Sequence, residues 1–156
     1  MKISKALGIN TNIIRIRDFE FAGQKFKVKI PSVSEAEIME EKVSNPSEES
    51  IKIHYDGLTK TLLENKKDFV KQEGIEYLDD DILMGGNSLK QLAISKCQNE
   101  IRIVETFKLL IPKDGEDMSN ITYEEINNEI PFPIQLDLVK TIASIISPNY
   151  ETTKKN

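Results

Sequence analysis

Hydrophobic and polar residues alternate most strictly near the start of the chain. Ile14, Ile16, Phe19 and Phe21 are interleaved with Arg15, Arg17, Asp18 and Glu20, and Lys25-Phe26-Lys27-Val28-Lys29-Ile30 alternates without a fault. Two such runs joined by the short Gly-containing turn Ala22-Gly23-Gln24 predict an antiparallel β-hairpin. Phe26, Val28 and Ile30 share one face of their strand, and the three lysines share the other, as in a sheet covered on one side. Pro31 ends the strand. A helix is expected directly after it, capped by Ser32 or Ser34 with Glu35 or Glu37 at capping-box spacing, and running to Val43 before Asn45-Pro46-Ser47.

From there the period becomes helical. Ile51, His54, Tyr55, Leu58 and Leu62 recur at steps of three and four, with Gly57 weakening the pattern. Residues 64–86 are the least legible stretch, with an acidic turn at Asp79-Asp80-Asp81 and either a short strand or a buried loop at Ile82-Leu83-Met84. It is the expected place for mobility or an extended contact. The clearest helix is expected from Ser88 to Leu110. Its stripe is Leu89, Leu92, Ala93, Cys97, Ile101, Val104, Phe107 and Leu110, with Glu105 and Lys108 off it. Ser88 supplies the cap and Pro112 the stop. Thr122-Tyr123-Glu124-Glu125 opens a short helix with a capping box, and Pro131-Phe132-Pro133 turns the chain. A last helix follows with Ile134, Leu138, Val139, Ile142, Ile145 and Ile146 on one side. Together these elements predict a mainly helical α+β fold with an N-terminal hairpin, a single domain over 1–148, and an exposed tail over 149–156.

Composition narrows the function classes. The chain has 156 residues, with 38% hydrophobic and 30% charged positions, which suits a folded domain and no disordered segment. No apolar run approaches the roughly 20 residues that span a bilayer, and no signal-peptide core follows Met1, so no membrane association or secretion is expected. Net charge is -5, with three arginines, which argues against nucleic acid as partner. A single cysteine, Cys97, fits a reducing compartment.

Candidate chemistry fails site by site. The acidic run Asp79–Asp81 lacks the spacing of a calcium loop and reads as a solvated turn. Gly85-Gly86-Asn87-Ser88 lacks the P-loop lysine and reads as a tight turn feeding a helix cap. His54 and Cys97 each sit on an apolar stripe, without a second catalytic group beside them. Glu35, Glu37, Glu40 and Glu41 read as a hydrated helix start. Lys25, Lys27 and Lys29 form a short basic strip usable against an acidic partner. No enzyme activity, cofactor or metal is expected; what remains is a protein that contacts other proteins.

Four stretches carry a resemblance to a known family. They are Phe26-Lys27-Val28-Lys29-Ile30-Pro31-Ser32 with its acidic helix; Gly86-Asn87-Ser88-Leu89; Arg102 with Phe107-Lys108-Leu109-Leu110-Ile111-Pro112; and the ending from Pro131-Phe132-Pro133-Ile134-Gln135-Leu136 through Ile146-Ser147-Pro148-Asn149-Tyr150 to Lys154-Lys155-Asn156. In this order and spacing the chain resembles the lambda-type tail assembly chaperones of long-tailed bacteriophages. The resemblance implies a protein of the host cytoplasm that binds the tape-measure protein, keeps it soluble, promotes tube assembly around it and is absent from the finished virion. The family often makes a longer product by -1 ribosomal frameshifting, whose extension would bind tail-tube protein. Lys154-Lys155-Asn156 can be encoded AAA AAA AAC, which holds a slippery heptamer and marks the candidate frameshift junction. The partner-binding positions expected are Ile101, Val104, Phe107, Ile134, Leu138 and Ile142 on the two long C-terminal helices. Self-association is left open, and the alternative is a structural virion component such as a tail-completion or connector subunit.

Overall fold

The computed structural model describes residues 1–147. The expected tail at 149–156 and the junction Lys154, Lys155 and Asn156 lie outside the described residues. The fold is mixed α+β and mainly helical, with an antiparallel two-stranded hairpin at the N-terminal end. The chain gathers into two compact units. One comprises Met1–Met39 and the described residues from Arg102 onward; the other is Glu40–Ile101.

The first unit opens with two one-turn helices, α1 (Ile3–Ala6) and α2 (Thr11–Ile14), neither of which buries a residue. The hairpin follows as β1 (Ile16–Phe21) and β2 (Gln24–Lys29). Ala22 and Gly23 both have positive φ, 52° and 76°, as a two-residue hairpin turn of the right twist requires. That turn fixes the register, setting Phe19 opposite Phe26, Arg17 opposite Val28 and Asp18 opposite Lys27. One face therefore carries Phe19, Phe21, Phe26 and Val28, with the Phe19 and Phe26 rings stacked at 5.5 Å between centroids. The helix after Pro31, α3 (Val33–Ser44), starts with the expected capping box. Glu35 N–H donates to Ser32 Oγ at 3.3 Å and Ser32 N–H to Glu35 Oε2 at 2.9 Å. The Arg15 guanidinium bonds the same carboxylate and the Ile30 carbonyl, tying the helix start to the end of β2.

The second unit holds α4 (Glu48–Glu64), capped by Ser47, with Leu62 buried on the expected stripe and Thr59, outside the expectation, buried too. Residues 64–86, the least legible stretch and the expected place for mobility or an extended contact, contain regular structure. They form α5 (Lys66–Phe69), β3 (Ile75–Tyr77) and β4 (Ile82–Met84), and the two strands make a small antiparallel sheet with β5 (Asn87–Ser88) just after them. Of the two readings open for Ile82-Leu83-Met84 the short strand holds; the strands it pairs with, of three and two residues, are too short to show a period. Their core is Leu62, Ile82 and Leu89, packed with Tyr55, Phe69, Ile75 and Tyr77. The Tyr77 hydroxyl donates to the Leu62 carbonyl at 2.6 Å, so the aromatic end is satisfied as it is buried.

The long helix α6 (Leu89–Phe107) contributes its first part to the second unit and its last turns to the first. Leu89, Ala93, Cys97 and Phe107 are buried as expected. Leu92 is exposed, however, and Ile103, absent from the expected stripe, is buried, as is Glu105 beside Lys108 at 3.0 Å. A single helical period cannot describe a helix whose two parts meet different neighbours. The helix also ends three residues before Leu110. Leu109 accepts from Lys29 N–H at 2.8 Å and Ile111 N–H donates to Lys27 at 2.9 Å, so this segment leaves the helix to pair along the open side of β2.

Two helices complete the first unit: α7 (Tyr123–Glu129), with the Thr122–Glu125 capping box present, and α8 (Phe132–Ile146), with Pro133 in its first turn. The core joins Val28, Ile103, Phe107, Ile126, Leu138 and Ile142. On α8 the buried position expected for Ile134 belongs to Gln135, which is fully buried, while Ile134 is 42% exposed. Gln135, Leu138 and Ile142 follow the i, i+3, i+7 rhythm of one face. The amide is tolerated there because Nε2 donates to the Ile130 carbonyl at 2.7 Å and faces Asn127 Oδ1 at 3.3 Å.

Candidate functional site

The apolar face of the hairpin is only partly covered by the core, and its remainder opens into a groove of about 760 Å³ within the first unit. The floor is built by Phe21 and Phe26 of the hairpin, Phe107 and Leu110 from the end of α6, and Ile126 and Leu138 of α7 and α8. Met118, Ile121, Ile130 and Ile134 continue the apolar lining toward the opening. Each comes from a local device already described. The hairpin register aims both phenylalanines to one side, the exit of α6 at Phe107 places Leu110 beside Val28, and the capping box holds α7 at its start.

The rim is acidic. Glu116, Asp117, Glu125 and Glu129 line it, and the described lining contains no lysine or arginine. The loop that carries the first two is folded on itself: Glu116 N–H donates to Asp114 Oδ1 at 3.0 Å and Ser119 N–H to Asp117 Oδ1 at 2.8 Å. The Ser119 backbone and then its hydroxyl hold the Asp117 carboxyl below the ordinary carboxylate range, so this rim charge persists at mildly acidic pH. A concave apolar surface with a rim of one charge sign suits an amphipathic segment of opposite flank charge.

The six positions expected from sequence separate. Phe107, Leu138 and Ile134 line this groove, the first two as buried floor and the third exposed at its edge. Ile142 is buried in the core behind it, and Val104 is half-buried against the same core. Ile101 belongs to the other unit and is not brought to the groove. Sequence reasoning missed Phe21, Phe26, Met118 and Ile121; the alternation in the hairpin held the signal for the two phenylalanines.

The expected basic strip does not stand free. Antiparallel register sets Asp18 across from Lys27, with Nζ and Oδ1 3.2 Å apart, and Glu20 across from Lys25. Beside it is a second depression of about 720 Å³ lined by Phe19, Phe26, Ile111 and Pro112 together with charges of both signs, and Lys113 sits 5.6 Å above the Phe26 ring. Lys29 stands across from Ile16, so Asp18 and Glu20 offset two of the three lysines and reduce the field of the strip.

In the second unit, His54 Nε2 lies 3.0 Å from Glu100 Oε2, a partner 46 residues away that no sequence motif announces. Cys97 is buried, and burial followed by the nearby Glu100 charge pushes its thiol up, so it is a poor nucleophile. Asp81 is no solvated turn residue. It accepts from Ile82 N–H at 2.8 Å, from Lys90 N–H at 3.1 Å and from the Ser88 hydroxyl, fastening the start of α6. Ser88 in turn accepts from Gln91 N–H at 3.1 Å, the cap expected of it. Burial alone would raise the Asp81 pKa, but the bonds from Ser88, Ile82 and Lys90 outweigh it and hold it below the ordinary value. Burial and the Asp81 and Asp80 charges push the Tyr55 phenol up. Among the described residues no group of three or more His, Cys, Asp or Glu side chains is placed to hold a metal ion, and no helix is long and apolar enough to cross a membrane.

Of the two depressions described, the acid-rimmed groove has the larger apolar lining and a rim of one charge sign. No family model, no curated protein and no solved structure matches the chain.

Proposed function

We propose that the chain is a tail assembly chaperone of a long-tailed bacteriophage, acting in the host cytoplasm. Its task is to cover apolar helical stretches of the tape-measure protein until tube subunits replace it. The observation that carries this reading is the groove. An amphipathic helix docks by setting its i, i+3/i+4 and i+7 side chains into an apolar trough, and Phe21, Phe26, Phe107 and Leu138 supply such a floor. A few inserted side chains give a weak contact, and many copies along one client supply avidity while each copy stays displaceable. A longer product from slippage at Lys154-Lys155-Asn156, joining tail-tube protein, is part of the same proposal.

The test is co-expression with helical fragments of the tape-measure protein encoded in the same genome. The fragments are expected in the supernatant with the wild-type chain and in the pellet with Ile134→Asp, a change at an exposed groove position that spares the core. Equal partition with and without the chain would refute the reading. Detection of the chain in purified virions would replace it with the structural-component alternative.

A further inference from the structure

The first fourteen residues hold an unusual share of exposed apolar side chains for a segment so short. Ile3, Leu7, Ile13 and Ile14 are each more than half exposed, and neither α1 nor α2 buries any residue. The segment is also basic: Lys2 and Lys5 precede Arg15 and Arg17, and no carboxylate occurs before Asp18. The groove has the complementary character, an apolar floor under four carboxylates with no lysine or arginine in its described lining. A monomer rarely leaves such surfaces uncovered.

We infer that the N-terminal arm of one copy seats in the groove of a second copy, and that the exchange is reciprocal. The arm does not fold back into the groove of its own chain: no residue before Phe21 lines the groove, and Ile3 and Leu7 stay exposed. Reciprocal seating gives a two-fold dimer in which the same arm and groove occur twice. The lysines meet the acidic rim while Ile3 and Leu7 enter the trough, so the interface is apolar at its centre and salt-sensitive at its edge. The inference stands without the chaperone reading, but it uses the same groove, so a client helix would have to displace the arm.

Sedimentation velocity on the full chain, from about 1 to 100 μM, tests it. The wild-type chain is expected to dimerise with rising concentration, and less so in high salt. Leu7→Asp, at an exposed arm position, is expected to abolish the dimer without unfolding the chain. Reversing the rim with Glu116→Lys and Glu129→Lys is expected to weaken it about tenfold, as is reversing the arm with Lys2→Glu and Lys5→Glu. Combining the two reversals is expected to restore it. A wild-type chain monomeric throughout, or a dimer untouched by Leu7→Asp, overturns the inference. So does a combined variant no better than either single reversal. Loss of client solubilisation with an intact dimer would count against the chaperone reading and leave this one standing.

Discussion

Removing the Asp81 carboxylate is expected to loosen the start of α6 more than any other change in the acidic turn. Three donors converge on it: Ile82 N–H, Lys90 N–H and the Ser88 hydroxyl. Lys90 N–H is one of the unpaired amides of the first helical turn, so its loss resembles loss of a helix cap, about 1 kcal/mol. The Ser88 and Ile82 donors are half-buried, and bonds to a charged acceptor add about 1.5 kcal/mol together once water replaces part of them. Asp81→Ala should therefore cost about 2.5 kcal/mol, whereas Asp79→Ala and Asp80→Ala, both exposed, should stay within about 0.5 kcal/mol. Urea unfolding followed by circular dichroism gives the ranking, and amide exchange at Lys90 and Gln91 gives the location. Ser88→Ala shares a bond with Asp81, so the double variant should cost about 1 kcal/mol less than the sum of the singles. The sign with pH follows from the depressed pKa. Asp81 contributes fully above its ordinary value of 3.8, and the contribution is lost as pH falls through the lower folded value. Equal effects at all three aspartates, or unchanged exchange at Lys90, would refute the assignment.

Three further changes probe separate steps from sequence to fold. Gln135→Glu puts a carboxylate into a fully buried site facing the Ile130 carbonyl. It should cost about 3 kcal/mol at pH 7 and recover as pH falls, because the protonated acid donates the bond that Nε2 donated; a cost independent of pH would refute this. Gly57→Ala lies within α4, where an added Cβ meets nothing within 4 Å, so the unfolding midpoint should rise by the equivalent of about 0.5–1 kcal/mol. Ala22→Asn replaces a residue at φ 52° with one that tolerates that region, and a gain of about 0.5 kcal/mol in thermal unfolding is expected.

Much of the architecture was legible in local chemistry. The alternation from Lys25 to Ile30 located β2, and both capping boxes, Ser32 with Glu35 and Thr122 with Glu125, form as their spacing implies. These signals are readable because each is completed within six consecutive residues. What failed depended on distant partners. Leu110 reads as helical by its period, but the open side of β2 draws Leu109–Ile111 out of the helix through two backbone bonds. Ile103 and Leu92 exchanged roles because α6 serves two units. Gln135 could not be placed in the core from sequence, since its burial rests on the Ile130 carbonyl at the end of another helix.

The candidate site was less legible than the fold, for a reason of the same kind. A groove is defined by what the core leaves uncovered, and no side chain carries that information alone. Phe107 and Leu138 were expected at a partner surface, and both do line the groove, yet as its buried floor. Ile134 was expected as well and stands exposed at the groove's edge, whereas Met118 and Ile121 sit in a polar loop and at a helix approach, where an apolar residue has no period to betray it. The basic strip shows the converse error. Lys25 and Lys27 are a patch on one strand and half of a neutral pair on the sheet, because the turn at Ala22-Gly23 brings Glu20 and Asp18 opposite them. Charge along a strand therefore acquires meaning only with register. Here register offsets two of the three lysines of the expected basic strip, while Glu116, Asp117, Glu125 and Glu129, outside the hairpin, line the groove with no lysine or arginine in its described lining.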